Sequence, residues 1–123
     1  MLSKNTVLRT RKAIEMSYDF RAGIFEKKKV VVSSVTNFEE VMVQSDVCCR
    51  LSYSNISSNS ENEADSDVTQ VIKLFMAPEI NVKPGSKILV KGVGGVVAYK
   101  SSGRPAVYPT HQEILLDLLE DKA

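Results

Sequence analysis

The stretch that decides the fold is Pro78–Ile114, PEINVKPGSKILVKGVGGVVAYKSSGRPAVYPTHQEI. It contains two short runs rich in β-branched and aromatic residues, Lys87–Lys91 and Val96–Ser101, separated by Gly92-Val93-Gly94-Gly95. Glycines allow the positive φ angles of a tight reversal, so this pattern predicts a β-hairpin. Just upstream, Lys83-Pro84-Gly85-Ser86 predicts a type II turn, because proline presets φ at its second position and glycine accepts a positive φ at its third.

Alternating apolar residues predict further strands upstream of this hairpin. They cover Asp19–Glu26, Glu40–Gln44, Val47–Tyr53 and Val68–Met76, with a possible kink at Ser45-Asp46. The sequence therefore predicts an all-β fold, a small antiparallel β-barrel or sandwich. Its predicted core comprises Ile72, Leu74, Ile88, Val90, Val97 and Tyr99.

The N-terminal segment, residues 1–17, is predicted to be an arm that contains a short amphipathic helix over Thr6–Met16. A helix of this length depends on docking rather than on its own propensity. Alternation of apolar and polar residues from Ile14 to Phe20 also allows a strand that begins early.

The C-terminal segment Thr110–Leu119 fits two structures. Thr110 and Glu113 have the spacing of a helix capping box. Ile114, Leu116 and Leu118 alternate with other residues as they would in a strand, and we favour the strand.

The composition indicates one globular domain over residues 1–123, with 43% hydrophobic and 25% charged residues and a net charge of +1. The charges are segregated along the chain. Residues 1–30 carry 8 basic and 3 acidic residues, residues 31–70 carry 1 and 7, and residues 71–123 carry 7 and 5. Such segregation favours contact with charged neighbours, although a solvated loop beside a solvated terminus gives the same pattern.

Targeting and redox signals point to the cytoplasm. No apolar run approaches the roughly 20 residues of a membrane span, and the basic N-terminus lacks the apolar core of a secretory signal. The two cysteines, Cys48 and Cys49, are adjacent and would point to opposite faces of a strand. A disulfide between them would be strained, so a reducing compartment fits best.

The segment Ser54–Asp67, SNISSNSENEADSD, is almost wholly serine, asparagine and acidic residues. It contains too little apolar surface to offset its ordering entropy, so we predict a long flexible loop. Glu61, Glu63, Asp65 and Asp67 are conceivable calcium ligands, but the spacing of an EF-hand is missing.

The triplet Lys27-Lys28-Lys29 interrupts an apolar pattern. Lysines at this place are typical of a protected sheet edge or of a hairpin tip. They are also candidate partner-binding residues, as a patch for phosphate or for an acidic neighbour.

The sequence offers little catalytic machinery. His111 is the only histidine, and no motif links it to Cys48 or Cys49. Gly92–Gly95 lacks the Gly-Lys-Ser/Thr of a P-loop, and Glu61 with Asp65 would be a glycosidase pair without a sugar platform. We therefore expect no enzyme activity, no metal site and no cofactor.

From Cys49 onward the chain resembles the minor capsid proteins of tailed bacteriophages and prophages of Gram-positive bacteria. The motifs that carry the resemblance are Cys49-Arg50-Leu51-Ser52, Val68-Thr69-Gln70-Val71, Lys73-Leu74-Phe75, Pro78-Glu79-Ile80, Lys83-Pro84-Gly85-Ser86-Lys87-Ile88, Tyr99-Lys100, Ser102-Gly103, Pro105-Ala106-Val107-Tyr108 and His111-Gln112-Glu113-Ile114. They cover about two-thirds of the chain, and Phe38-Glu39-Glu40-Val41 upstream also fits.

The resemblance implies a head-closure (stopper) protein of the head-to-tail connector. Such a protein is a small β-barrel that forms a ring with copies of itself, below portal and adaptor proteins and above tail proteins. A long loop closes the DNA channel, and Ser54–Asp67 corresponds to it by position. The expected location is the virion, with assembly in the host bacterial cytoplasm and only non-specific contact with packaged DNA.

Two alternatives remain open at this point. One is a tail-terminator or tail-completion protein of the same particle. The other is a free, OB-like barrel that binds nucleic acid or peptide. A base-stacking platform would then need Tyr53, Phe75, Tyr99 and Tyr108 on one face.

Overall fold

A computed structural model describes residues 3–57 and 68–119. Within these ranges one helix precedes six strands: α1 (Lys4–Glu15), β1 (Phe20–Val32), β2 (Val35–Ser57), β3 (Val68–Met76), β4 (Lys87–Gly92), β5 (Gly95–Val107) and β6 (Gln112–Leu118). The strands close into an antiparallel barrel in the order β1-β2-β3-β6-β5-β4. The predicted all-β barrel with a short N-terminal helix is confirmed.

The glycine-rich hairpin forms as predicted, with Gly92 opposite Gly95 at its end. The type II turn before it is also present, since Gly85 has a φ of 85° and the Ser86 amide donates to the Lys83 carbonyl at 3.1 Å. Ser101 on β5 braces this turn, because its hydroxyl donates to the same carbonyl at 2.9 Å. The turn therefore fixes where β4 enters the barrel.

The core fills the barrel interior, and most of its predicted members are buried there. Leu74, Ile88, Val90 and Tyr99 are at most 3% exposed, and Ile72 is half-buried against them. Val97 is 41% exposed, so its predicted burial is wrong. It lies opposite the buried Val90 and shares its inward face, but it is close to the end of the β4–β5 hairpin, where the barrel opens to solvent.

Helix α1 begins two residues before the predicted Thr6, because Ser3 caps it and accepts a hydrogen bond from the Thr6 amide at 3.2 Å. Arg11 fastens the helix to the barrel. Its guanidinium donates to both carboxylate oxygens of Glu79, just after β3, and also to Glu15. Electrostatic docking of this kind suits a helix that has no fully buried residue.

Strands β1, β2 and β5 extend beyond their predicted bounds, and β5 ends at Val107 rather than at Ser101. β1 continues through the lysine triplet to Val32, and β2 is one strand from Val35 to Ser57. The kink predicted at Ser45-Asp46 is present as a bulge, at which Asp46 has a φ of 55°. At the C-terminal end the strand prediction is confirmed, since burial alternates along β6.

Candidate assembly surfaces

A two-stranded hairpin projects from the barrel, and we call residues 26–41 the hairpin arm. β1 pairs with β4 only as far as Phe25, and β2 pairs with β3 only from Cys49 onward. Beyond those points the two strands pair only with each other among the described residues, from Glu26 opposite Val41 to Val32 opposite Val35. The arm therefore has two open edges.

The tip of the arm is the pair Ser33 and Ser34, with φ angles of 51° and 64°. Two successive positive φ angles are the geometry of a type I′ hairpin turn. The interpretation of Lys27–Lys29 as a hairpin tip is therefore wrong, because these lysines lie midway along the arm.

The charges of the arm are matched across its two strands. Lys27 lies opposite Glu40, and Lys28 lies opposite Glu39. Two further lysines link the base of the arm to the barrel: Lys87 Nζ is 3.5 Å from Glu40 Oε2, and Lys83 Nζ is 3.6 Å from Glu26 Oε1. The role of the lysine triplet in binding a partner stays a prediction.

The arm also exposes apolar side chains. Phe38 is 70% exposed, Val31 63%, and Val32 and Val35 56% each. Large apolar groups that gather on one projecting element are typical of a surface that another protein covers. The sequence signal for the arm is a mirror pattern around Ser33-Ser34, with three valines and then lysines on one side and glutamates on the other.

The predicted acidic loop does not begin at Ser54. Ser54 belongs to β2 and lies opposite Val71, and the β2–β3 pairing continues to Ser57 opposite Val68. The first four residues of the predicted loop are therefore strand, because pairing with β3 overrides their weak strand propensity. The remaining predicted loop residues, Glu61, Glu63, Asp65 and Asp67, lie outside the described residues.

His111 is held by its neighbours on both ring nitrogens. Its Nε2–H donates to Glu113 Oε2 at 3.0 Å, and Nδ1 is 3.0 Å from the Thr110 hydroxyl. The ring also stacks on Tyr108 with centroids 4.9 Å apart. His111, followed by Lys73, holds the pKa of the Glu113 carboxyl below its usual value. These contacts hold the start of β6 in place.

The two cysteines lie in different environments. Both are free thiols, and Cys49 is buried in the core while Cys48 is exposed. Burial raises the pKa of the Cys49 thiol to about 12, so it stays protonated near neutral pH. Among residues 3–57 and 68–119, no group of His, Cys, Asp and Glu side chains is arranged to hold a metal ion.

The aromatic side chains do not share one face. Tyr99 points into the core, where its hydroxyl meets that of Tyr53 at 3.2 Å. Phe75 is next to the buried Leu74 on β3 and points outward, near His111. The base-stacking platform that a free nucleic-acid-binding barrel would need is therefore absent from these four residues.

The part of the chain that the structure describes contains no helix long and apolar enough to span a membrane.

Comparison with known proteins finds a similar fold in a solved structure. It is the protein xkdH of the phage-like element PBSX of Bacillus subtilis, with a TM-score of 0.52 and 11% sequence identity. The alignment covers 80% of this chain and 91% of xkdH. No family model matches the chain, and no curated protein sequence matches it. The comparison therefore shows that the two chains share a fold.

Proposed function

We propose that this chain is a structural protein of a tailed-phage or prophage particle, in which it forms the head-closure (stopper) ring of the head-to-tail connector. The observation that carries the proposal is the fold shared with a protein of a phage-like element over 91% of that protein. The sequence motifs that resemble those of minor capsid proteins also support it.

The side chains in those motifs have structural roles. Gln112 is 1% exposed, and its amide donates to the carbonyls of Ala77 at 2.8 Å and Ile80 at 2.6 Å. The hydroxyls of Ser86 and Ser101 both donate to the carbonyl of Lys83, at the start of the type II turn, and the Ser101 hydroxyl also accepts from the Ser86 amide. These residues hold the connections between strands, which is the role expected of motifs that define a fold.

The proposed location is the virion, and the proposed partners are further copies of the chain, portal or adaptor proteins above and tail proteins below. The exposed hairpin arm supports this role, since it offers charged and apolar surface to neighbours. Contact with packaged DNA is proposed to be non-specific, as the family resemblance implies.

Electron microscopy of the purified protein mixed with isolated portal complexes, with and without their adaptor proteins, tests the proposal. We expect a ring at the tail-facing end of the portal, which masks the open channel. A ring that binds only to isolated tails would indicate a tail-completion protein. Binding to neither would show that the chain is not a connector protein.

A further inference from the structure

We infer that neighbouring copies of the chain pair through their hairpin arms, so that the β1 edge of one arm joins the β2 edge of the next. The ring would then share one continuous antiparallel sheet built from residues 26–41. This inference rests on the proposed ring, and it names the surface through which the copies recognise each other.

The first observation is that both edges of the arm are open. Among the described residues, β1 from Glu26 to Val32 and β2 from Val35 to Val41 pair only with each other. Each outer edge presents backbone N–H and C=O groups that can template another strand. A two-stranded hairpin is marginally stable in water, so pairing at both edges would also stabilise the arm itself.

The second observation concerns direction. β1 and β2 are antiparallel within one arm. When arms stand side by side around a rotation axis that runs along them, the β2 edge of one arm faces the β1 edge of the next. These facing edges are antiparallel as well, so the same ladder geometry continues from copy to copy.

The third observation is charge complementarity at matching height. Rotational symmetry places a given residue at the same height in every copy. Lys27 is level with Glu40 and Lys28 is level with Glu39 within one arm. The lysines of one copy would therefore lie level with the glutamates of its neighbour, and opposite charges across strands stabilise pairing.

Charge also selects this arrangement over a two-fold dimer. Two β1 edges would bring two lysine triplets into one ladder without a glutamate between Lys27 and Val32. Two β2 edges would likewise combine Glu39 and Glu40 of both copies without a basic residue. The β1-to-β2 contact unites the lysine triplet with Glu39 and Glu40, and such a head-to-tail contact generates a ring when the rotation closes.

Disulfide cross-linking between two different variants tests the contact. The variants are Lys28→Cys and Glu39→Cys, each with Cys48→Ser to remove the exposed native thiol. They are mixed, alone and on portal complexes, oxidised, and separated on a non-reducing gel. We expect a heterodimer, because residues directly opposite each other on neighbouring strands are close enough for a disulfide. In the control mixture, Val93→Cys at the exposed tip of the β4–β5 hairpin replaces Lys28→Cys. No disulfide-linked heterodimer should form in this mixture.

A charge-swapped chain gives a second, independent measurement. Lys28 is changed to Glu and Glu39 to Lys, which keeps opposite charges level within each arm and leaves the ion pair of Glu40 with Lys87 intact. The swapped chain should assemble with itself. In mixed rings, a swapped chain should stand next to a wild-type chain roughly ten times less often than random mixing gives. The reason is that each contact between the two kinds of chain puts like charges together. Native mass spectrometry of an isotope-labelled mixture measures the depletion.

The outcomes separate this inference from the proposed function. Rings that form without the Lys28→Cys to Glu39→Cys cross-link, or rings that mix both chains freely, would overturn the inference and leave the stopper proposal standing. Homodimers of Lys28→Cys would overturn it in favour of a two-fold contact. Absence of rings both in solution and on portal complexes would overturn both proposals.

Discussion

The ring of Phe20 lies directly against the backbone of Gly92, where a Cβ atom would overlap its Cδ1 and Cε1 atoms. The two residues occupy the place where β1 meets β4, beside the pair formed by Arg21 and Lys91. Phe20 is half-buried and packs on the core cluster. The close approach of this ring therefore requires glycine at position 92.

Gly92→Ala should destabilise the barrel by about 1–3 kcal/mol, because the ring of Phe20 must move out of its packed position. Gly94→Ala is a matched control two residues away, since a Cβ there meets nothing within 4 Å and Gly94 has no left-handed φ. The free energy of unfolding in urea measures both. Equal free energies of unfolding for the two variants would show that the ring of Phe20 can move aside without destabilising the barrel.

Gln112→Met should also destabilise the barrel, by about 1–3 kcal/mol, although it keeps a side chain of similar length. The buried amide of Gln112 donates to the carbonyls of Ala77 and Ile80, which would lose these partners. Gln70→Met, on an exposed position of β3, is the control and should change stability little. Similar unfolding midpoints for the two variants would contradict the bracing role of Gln112.

Leu74→Ala should cost about 2–5 kcal/mol, since Leu74 is fully buried at the centre of the core. Val97→Ala should cost about 1 kcal/mol or less, because 41% of Val97 is already exposed at the open barrel end. Urea unfolding of the two variants measures the difference. A larger loss at Val97 than at Leu74 would contradict the described core.

The stability contributed by Glu113 should depend on pH. Its folded-state pKa lies below the ordinary value because His111 and then Lys73 donate to the carboxylate. A lowered acid pKa stabilises the fold at pH values above the ordinary pKa of about 4.3, and this contribution is lost as pH falls through the folded-state pKa. Solvent screens the pair, since Lys73 is 43% exposed.

Glu113→Gln should therefore lower stability at pH 7 by on the order of 0.5–1 kcal/mol, and the difference from the wild type should shrink towards pH 3. Thermal unfolding across this range measures the difference. Asp117→Asn, exposed on the same strand, controls for the loss of one negative charge. A difference that stays constant from pH 7 to pH 3 would refute the role of the carboxylate.

The barrel could be predicted where the sequence chemistry is local. Pro84 and Gly85 define the type II turn, and Gly95, with a φ of 111°, begins β5 at the end of the hairpin, because few other residues accept a positive φ. The alternation of apolar residues along β6 predicted its structure better than the capping-box pattern at its start, because the inward-facing residues of this strand are buried.

The candidate surfaces were harder to predict because they depend on non-local pairing. The lysine triplet made β1 look interrupted in the sequence. In the structure β1 is continuous, because its lysines pair with residues of β2. Ser54 looked like loop by composition, but pairing with Val71 makes it strand. Val97 has the inward position of a core residue, but it is exposed because it lies near the end of the barrel. Its place along the barrel axis depends on how the strands pair and cannot be read from the alternation of residues.

The acidic connection between β2 and β3 leads to the last prediction. Replacing residues 58–67 with a short Gly-Ser turn keeps the β2–β3 ladder, because Ser57 and Val68 already lie opposite each other. Replacing 54–67 instead also removes the strand positions from Ser54 to Ser57, so only this longer replacement should lower stability. Thermal unfolding compares the two.

Particles assembled with the 58–67 replacement should lose packaged DNA before tails attach, if the ring closes the channel through this segment as the family resemblance implies. The segment carries Glu61, Glu63, Asp65 and Asp67 and no basic residue, so a ring of copies would repel DNA phosphates. DNA retention is measured by nuclease protection of tailless heads. A variant with the four acids changed to Asn or Gln separates charge from bulk. Full retention by both variants would assign closure to another part of the ring.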